Sequence, residues 1–261
     1  MKRGEVRLDR KLAVHRIRKR LSRGGATIGS WIHIPHGSIS EIMGAAGYDW
    51  VAVDMEHGSI SVQQLPDLCR ALELGGTLPL VRIAEAASSV CKQALDAGAG
   101  GVIVPAIRNG EQLKMIGQAC RWPPAGSRGV GFSRANLFGK NFEVYRDEAQ
   151  SPFLVAMIED AEGVSNLDEI LSVEGLDAIL IGPYDLSASL GVTAEFHHPL
   201  FLETMQAISE TCSRSGIPFG VHIVDPNPAV LSEGIAKGMR FIAYGIDAVF
   251  LYTFAQRPEL D

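Results

Sequence analysis

The chain has 261 residues, of which 46% are hydrophobic and 21% are charged, and its formal net charge is −6. This length and apolar fraction allow a large core, and the acidic balance argues against a nucleic-acid partner, which would favour a basic domain. No apolar run reaches the roughly 18 residues that a transmembrane helix needs and no signal peptide is visible, so we expect a cytoplasmic protein without a membrane contact.

The first predicted element is a basic extension, residues 1–24, which precedes a single domain of residues 25–261. Its apolar residues recur at a roughly helical spacing and are Leu12, Val14, Ile17 and Leu21. This spacing predicts a short amphipathic helix near residues 9–22. A solvated helix lying across the bottom of the fold is the favoured interpretation, and contact of its basic face with RNA or an acidic membrane is the alternative.

Eight apolar, strand-like runs then alternate with helical stretches. The runs span residues 26–32, 50–53, 78–81, 101–104, 153–158, 178–181, 217–222 and 240–244. Alternation of strands and helices predicts parallel strands with crossover helices, and eight such units favour a (β/α)8 TIM barrel over an open α/β sheet. The longest irregular region, residues 121–150, is expected to serve the active site.

The chain ends soon after the last strand, which leaves residues 247–261 for an eighth helix. Its apolar residues are dense and include Val249, Phe250, Leu251, Tyr252 and Phe254. Two interpretations stand side by side: this helix packs against another subunit, or it closes its own barrel.

Two carboxylates follow successive predicted strands, Glu159 after the fifth and Asp185 after the sixth. The carboxyl ends of parallel strands are where α/β barrels keep their ligand sites. Two oxygen ligands that leave space for water and a substrate suit a hard cation such as Mg²⁺ or Mn²⁺. The alternative is that both acids are helix N-caps or surface carboxylates, but their matching positions favour a metal site.

Polar residues also follow the second and third strands. His57 comes three residues after Asp54, so a base held by a carboxylate is one interpretation, and a packing or surface histidine is the other. Arg82 directly follows apolar residues at a strand end, where an unpaired guanidinium would be costly. We expect it to bind a carboxylate or an enolate oxygen, and the alternative is a structural ion pair with Asp54, Glu56 or Glu85.

Residues at the other strand ends, together with missing motifs, limit the classes of reaction that we expect. Gly182 and Pro183 leave the backbone open before Asp185, and amide groups at the start of the next helix could hold an anionic carboxylate. His222 ends the seventh strand and could line the pocket. No lysine ends an apolar run, so a Schiff base is not expected. No dinucleotide fingerprint or P-loop is present, so we expect no organic cofactor.

Six motifs, taken in order, resemble the HpcH/HpaI family of metal-dependent pyruvate aldolases, which includes 4-hydroxy-2-oxoheptanedioate and 2-keto-3-deoxy sugar-acid aldolases. They are Val53-Asp54-Met55-Glu56-His57, Leu80-Val81-Arg82, Ala94-Leu95-Asp96-Ala97-Gly98, Pro123-Pro124-Ala125-Gly126-Ser127-Arg128-Gly129-Val130-Gly131, Met157-Ile158-Glu159 and Ile181-Gly182-Pro183-Tyr184-Asp185-Leu186-Ser187. The resemblance runs from about Gly29 to Val249. It implies a (β/α)8 barrel that forms a hexamer, a trimer of dimers exchanging their last helix.

The resemblance also implies roles for single residues. Glu159 and Asp185 would bind a divalent ion, Mg²⁺, Mn²⁺ or Co²⁺, and Arg82 would contact the pyruvate oxygen. His57, oriented by Asp54, would handle the proton. The remaining implied residues are Asp96, which would support the histidine from a neighbouring subunit, and Gly182, Pro183 and Tyr184, which would complete the substrate site. The chain departs from the family pattern at Met55, Met157 and His222, and these departures leave the acceptor aldehyde open.

The resulting hypothesis is a metal-dependent carbon–carbon lyase. It would reversibly cleave a 4-hydroxy-2-oxo acid to pyruvate and an aldehyde through a metal-stabilised enolate. The alternative is a carbon–carbon bond-forming synthase or lyase, similar to citrate synthase, on the same metal–Arg site, with Arg128 and Arg134 of the long loop binding extra carboxylates. A third possibility is a non-catalytic barrel that binds keto acids.

Overall fold

The structure, a computed structural model, describes residues 8–257, and within them eight parallel strands close into a barrel. The strands are β1 (Thr27–Ile32), β2 (Trp50–Asp54), β3 (Leu78–Arg82), β4 (Gly101–Val104), β5 (Phe153–Ile158), β6 (Ala178–Ile181), β7 (Phe219–Ile223) and β8 (Phe241–Ile246). Each strand pairs in parallel with the next, and β8 closes the barrel against β1. The predicted single-domain (β/α)8 TIM barrel is therefore confirmed.

Helices connect the strands around the outside of the barrel. They are α1 (Arg10–Ser22), α2 (Gly37–Ala45), α3 (Leu65–Gly75), α4 (Ser88–Asp96), α5 (Gly110–Cys120), α6 (Phe142–Ala149), α7 (Ala161–Ser165), α8 (Leu167–Leu171), α9 (Pro183–Ser189), α10 (Pro199–Ser215), α11 (Pro228–Ala236) and α12 (Asp247–Phe254), with a short 3-10 helix at Arg134–Asn136. The predicted and observed strands agree to within two residues at each end.

Side chains alternate along each strand between two separate packed layers. In β5, the residues that fill the barrel interior are Phe153, Val155 and Met157, and the residues that pack against the helices are Leu154, Ala156 and Ile158. This period of two is the ordinary consequence of the pleated backbone. It also determines which residue opens into the mouth at the carboxyl end of the strands, because the next inward position after Met157 is Glu159.

Helix α1 closes the amino-terminal end of the barrel. Its buried apolar residues are Ala13, Val14, Ile17 and Leu21, and they belong to the same packed cluster as the side chains of the barrel interior. Trp50 and Phe241 stack within this cluster with their ring centroids 4.4 Å apart. The predicted helix across the bottom of the fold is therefore observed, while residues 1–7 of the basic extension lie outside the described part of the chain.

The long segment between α5 and β5 lies at the amino-terminal end of the barrel, so the expectation that it serves the active site of its own chain is wrong. A connection from a helix to the next strand runs beside the strand starts, whereas the site lies beside the strand ends. The segment packs around the buried carboxylate of Glu73, which pairs with Arg10 at 2.8 Å and with Arg134 at 2.5 Å. Arg10 also pairs with Glu148 at 2.6 Å.

The last helix, α12, leaves large apolar side chains uncovered. Phe254 is 83% exposed, Tyr252 is 66% exposed and Leu251 is 55% exposed. These residues do not close the barrel of their own chain, and the exchange of this helix between subunits remains a prediction. Within residues 8–257, no helix has the length and apolar character needed to cross a bilayer.

We expect Glu73→Gln to lower the free energy of unfolding by about 3–5 kcal/mol, because it leaves two buried guanidinium groups without their shared carboxylate. Urea unfolding followed by circular dichroism measures this loss. The matched control is Glu233→Gln, which removes an exposed ion pair with Lys237 and should leave the midpoint unchanged. Equal midpoints for Glu73→Gln and Glu233→Gln would contradict a stabilising role for the buried network.

Candidate active site

Inward-facing positions at or just beyond the strand ends gather around the mouth of the barrel. The register aligns Asp54 of β2 with Arg82 of β3, and it aligns Ile32 of β1 with Val53. His33 therefore lies beside Asp54, two residues after the inward-facing Trp31. Glu159 takes the equivalent inward position after β5. The alternation of the strands thus brings an imidazole, two carboxylates and a guanidinium to one opening.

A bidentate ion pair holds the guanidinium in place. Nε of Arg82 donates to Oδ1 of Asp54 at 2.8 Å, and Nη2 donates to Oδ2. The group lies over the ring of Trp31, 4.6 Å from the centroid. The remaining nitrogen, Nη1, is 3.1 Å from Oε2 of Glu56 and 3.8 Å from Sδ of Met157. The structural ion pair considered for Arg82 is therefore real, and it fixes a planar fork whose third nitrogen points away from Asp54.

Asp54 is fully buried and ionised. Burial by itself would raise its pKa, but hydrogen bonds from His33 and Arg82, together with the charge of Arg82, hold the pKa of this carboxyl well below its usual range. Burial tends to lower the pKa of Arg82, and contact with Asp54 raises it above its usual value. The two groups thus keep each other charged in an apolar surrounding.

The carboxylate of Asp54 contacts the ring of His33, whereas the sequence predicted that it would orient the ring of His57. Nε2 of His33 lies 2.7 Å from Oδ2 of Asp54. The backbone N–H groups of Glu56 and His57 donate to Oδ1 at 3.0 and 3.3 Å. A tight turn after β2 therefore points the amide of His57, and not its imidazole, at the carboxylate. The side chain of His57 is exposed, and its ring makes no hydrogen bond within residues 8–257.

Glu159 occupies a confined position on the opposite wall. Its Oε2 accepts the backbone N–H of Ala106 at 2.8 Å. Its Oε1 lies against Gly182, where an added Cβ would stand 2.6 Å away. Burial raises the pKa of Glu159 to about 7; the Ala106 amide and Arg82 oppose this shift, whereas the negative charges of Glu56 and Asp185 add to it. Burial is therefore the main reason that this carboxyl holds its proton more strongly than a free glutamic acid does.

These residues fit a divalent cation. Asp185 is exposed in the first turn of α9, and its charge acts on both Glu159 and Glu56. A cation between Glu159 and Asp185 would neutralise this excess of negative charge. Across the described residues, no group of three or more His, Cys, Asp or Glu side chains forms a closed metal site. Two carboxylates with open positions suit a hard cation that keeps water and takes substrate oxygens as further ligands.

His222 lies on the wall of the mouth, as the sequence suggested. Its Nε2 is 3.4 Å from the carbonyl oxygen of Gly245, and its ring is tilted against Trp31 with centroids 5.4 Å apart. Burial and the nearby charge of Arg82 lower the pKa of His222 to about 3. It is therefore a neutral imidazole at ordinary pH.

Two other predicted residues lie apart from this group. Asp96 ends α4 and lines a cleft with Lys92 and Arg134 on the side of the barrel. Burial raises the pKa of Asp96, and the charges of Arg128 and Lys92 oppose this shift. Tyr184 is half exposed and packs edge-on against Phe196, with centroids 5.1 Å apart. Neither side chain contacts Asp54 or Arg82 among the described contacts.

Sequence reasoning missed the position of His33. The signal was present, because His33 stands two residues after Trp31 in a strand whose alternate residues face the barrel interior. What could not be read was that the ring reaches Asp54, since that depends on the register between β1 and β2.

Comparison with known proteins shows the family to which this sequence is similar. The sequence profile of the HpcH/HpaI aldolase/citrate lyase family matches residues 27–253. A hydroxypyruvate/pyruvate aldolase from Roseobacter denitrificans is 37% identical over 90% of this chain and 91% of its own length. A 2-keto-3-deoxy-L-rhamnonate aldolase from Salmonella gallinarum is 36% identical over 92% and 90%, respectively.

Two solved structures superimpose on most of this chain. An HpcH/HpaI aldolase/citrate lyase family protein from Burkholderia cenocepacia superimposes with a TM-score of 0.86 at 28% identity, and the match covers 92% of this chain and 96% of that one. A citrate synthase is 31% identical with a TM-score of 0.78, over 91% and 93%.

We expect Asp54→Asn to destabilise the fold by about 3–5 kcal/mol near neutral pH, since it leaves Arg82 buried beside a neutral amide. The folded-state pKa of Asp54 is depressed, so its contribution is complete above the pKa of an unfolded aspartate, about 4, and is lost as the pH falls through the folded value. Urea unfolding of both proteins between pH 7 and pH 2 should show the gap narrowing in acid. A gap that is constant with pH would show that the carboxylate charge does not stabilise the fold.

Proposed function

The chain belongs to the HpcH/HpaI aldolase/citrate lyase family, and from this premise we propose that it reversibly cleaves a 4-hydroxy-2-oxo acid to pyruvate and an aldehyde. The single observation that carries the proposal is the arrangement of the mouth. A fixed guanidinium, Arg82, stands on one wall, and a buried carboxylate, Glu159, stands on the other. An oxo acid between them meets positive charge on one side and a cation-binding carboxylate on the other.

In the proposed reaction, the C3–C4 bond breaks, its electron pair forms the C2=C3 bond of an enolate, and the carbonyl π pair moves to the 2-oxo oxygen; protonation of C3 then gives pyruvate. Glu159 and Asp185 would hold a divalent cation, which would supply Lewis acidity toward the 2-oxo group. Nη1 of Arg82 is the nitrogen that Asp54 does not occupy, and it can donate to the oxygen on which charge develops. Because Asp54 fixes the fork before substrate binds, little reorganisation is needed during the reaction.

The C4 hydroxyl must lose a proton when the bond breaks. Family resemblance assigns this proton to His57, and the exposed position of its ring leaves it free to act through a water molecule. Asp96 points to the side of its own barrel, which is consistent with a contribution to the site of a neighbouring subunit. Gly182, Pro183 and Tyr184 precede or begin α9 and would flank the substrate carboxylate.

Assembly and location are part of the proposal. The uncovered apolar side chains of α12 support association of subunits through this helix, and we propose a hexamer built as a trimer of dimers. We also propose a cytoplasmic location, which suits the acidic net charge and an oxo-acid substrate.

The second candidate is a synthase that condenses a larger acid on the same site, and it is favoured by the 31% identity to a citrate synthase. Its predicted carboxylate ligands are not available within one chain. Arg134 pairs with Glu73, and buried Arg128 donates to the hydroxyl of Tyr145 at 2.9 Å. Both lie at the end of the barrel away from the mouth, so we favour the aldolase.

We expect pyruvate C3 hydrogens to exchange in heavy water only when a divalent ion is present, and Glu159→Ala to lose this exchange, because removing the carboxylate removes one of two ligands. Proton NMR of pyruvate with the wild-type protein, with and without EDTA, measures the effect. The control is Asp160→Ala, which alters the neighbouring acid that caps α7.

Full exchange in EDTA, or in Glu159→Ala, would contradict the metal site. Turnover of oxaloacetate with acetyl-CoA, without aldol activity on pyruvate and aldehydes, would support the synthase. Binding of pyruvate without exchange or turnover would support the non-catalytic barrel.

We expect Arg82→Lys to lower kcat/KM for cleavage on the order of 10²–10³-fold, because an ammonium group cannot keep the bidentate pair and also reach the developing oxyanion. Pyruvate release coupled to NADH oxidation measures the rate. Arg108→Lys, which changes an exposed arginine paired with Asp160, is the control and should leave the rate unchanged. A wild-type rate for Arg82→Lys would show that the guanidinium does not act on the reaction.

A further inference from the structure

We infer that His33 is a specificity-determining residue that binds a hydroxyl group on the aldehyde half of the substrate. This inference rests on the proposed aldolase function and adds a residue that the family motifs leave out. It is carried by three features: the anchoring of His33 at both ends, its unused ring nitrogen and its place in the mouth.

The anchoring of His33 is unusually complete for a residue just beyond a strand. Its backbone N–H donates to Oδ1 of Asp247 at 3.0 Å, and the next amide, that of Ile34, donates to Oδ2 at 2.9 Å. Asp247 is itself buried at the start of α12. At the other end, Nε2 of His33 lies 2.7 Å from Oδ2 of Asp54. A side chain fixed at its backbone, with its ring in close contact with a buried carboxylate, is suited to orienting a ligand.

One nitrogen of the His33 ring, Nδ1, is available to a ligand. Nε2 is buried beside the carboxylate of Asp54, so the exposed 24% of the side chain belongs to its other atoms. Nδ1 has no hydrogen-bond partner within residues 8–257. A carboxylate beside Nε2 favours the tautomer that carries its hydrogen there, which leaves Nδ1 as an acceptor. An acceptor nitrogen without a partner in the protein is suited to a hydroxyl donor.

His33 lies on the part of the barrel wall where the aldehyde half of the substrate would bind. Glu159 follows β5, Asp185 follows β6 and Arg82 ends β3, so the oxo-acid half lies between these walls. The part of the barrel wall that remains is formed by β7, β8 and β1, and there His222 and Trp31 lie in contact. His33 stands just beyond the end of β1, two residues after Trp31. The atoms beyond C3 therefore extend toward a wall of imidazoles.

Glycine at position 245 shapes the same wall. Its backbone has φ of +68°, and its carbonyl oxygen lies 3.4 Å from Nε2 of His222. His222 is thereby held against the strand. The ring of His33 has the closer polar contact of the two, 2.7 Å from a carboxylate oxygen against 3.4 Å from a carbonyl oxygen, and is therefore the residue to test.

The test uses two substitutions of His33 in the full-length, metal-loaded enzyme. His33→Gln places an amide near the position of Nε2, which keeps a donor for Asp54 and removes the acceptor at Nδ1. His33→Asn places its amide near the position of Nδ1, which keeps an acceptor there. Both are assayed for condensation of pyruvate with glycolaldehyde, which carries a hydroxyl group, and with acetaldehyde, which lacks it.

We expect the wild type to prefer glycolaldehyde and His33→Gln to lose about tenfold in kcat/KM for glycolaldehyde, the effect of one hydrogen bond. The ratio of its kcat/KM for glycolaldehyde to its kcat/KM for acetaldehyde should fall by the same factor, and its pyruvate C3 exchange should remain measurable and metal-dependent. His33→Asn should recover part of the preference.

Three results would overturn the inference. An unchanged ratio of the two aldehydes in His33→Gln would show that Nδ1 does not read the hydroxyl. Loss of pyruvate exchange in His33→Gln along with both condensations would show that His33 acts only by holding Asp54 and Arg82. Equal glycolaldehyde-to-acetaldehyde ratios of kcat/KM in His33→Gln and His33→Asn would contradict the assignment of Nδ1 as the acceptor. A wild-type protein without metal-dependent exchange would instead contradict the aldolase proposal itself.

Discussion

The buried ion pair between Asp54 and Arg82 is the interaction on which the mouth of this barrel depends. It joins the ends of β2 and β3, fixes the plane of the guanidinium and brings the ring of His33 to the second carboxylate oxygen. Such a pair is costly to bury, and hydrogen bonds to both groups offset the cost. A single aspartate therefore positions both a guanidinium and an imidazole at the mouth of the barrel.

Much of this architecture could be predicted because period-two alternation and strand–helix order are local signals. The eight strands, the acid Glu159 and the guanidinium of Arg82 followed from apolar runs and the residues that end them. The partner of Asp54 could not, because choosing between His33 and His57 requires the register of β1 and the turn after β2. Sequence distance favoured His57, and three-dimensional proximity favours His33.

Polar residues at the amino-terminal end of the barrel stabilise the fold, and those at the carboxyl end form the candidate active site. At the amino-terminal end, Glu73 gathers Arg10 and Arg134, and so links α1, α3 and the long segment before β5. Counting connections would have placed that segment correctly, since it joins a helix to a strand. Its arginines resemble substrate ligands in the sequence because composition does not reveal which end of the barrel a loop occupies.

Gly182 has no functional group, and yet its neighbour Glu159 leaves no room for a methyl substituent. Substitution of every amino acid in turn would thus find position 182 as intolerant of change as Glu159 and Asp185. Directed evolution toward new aldehydes should accordingly leave it fixed and diversify the β7–β8–β1 wall.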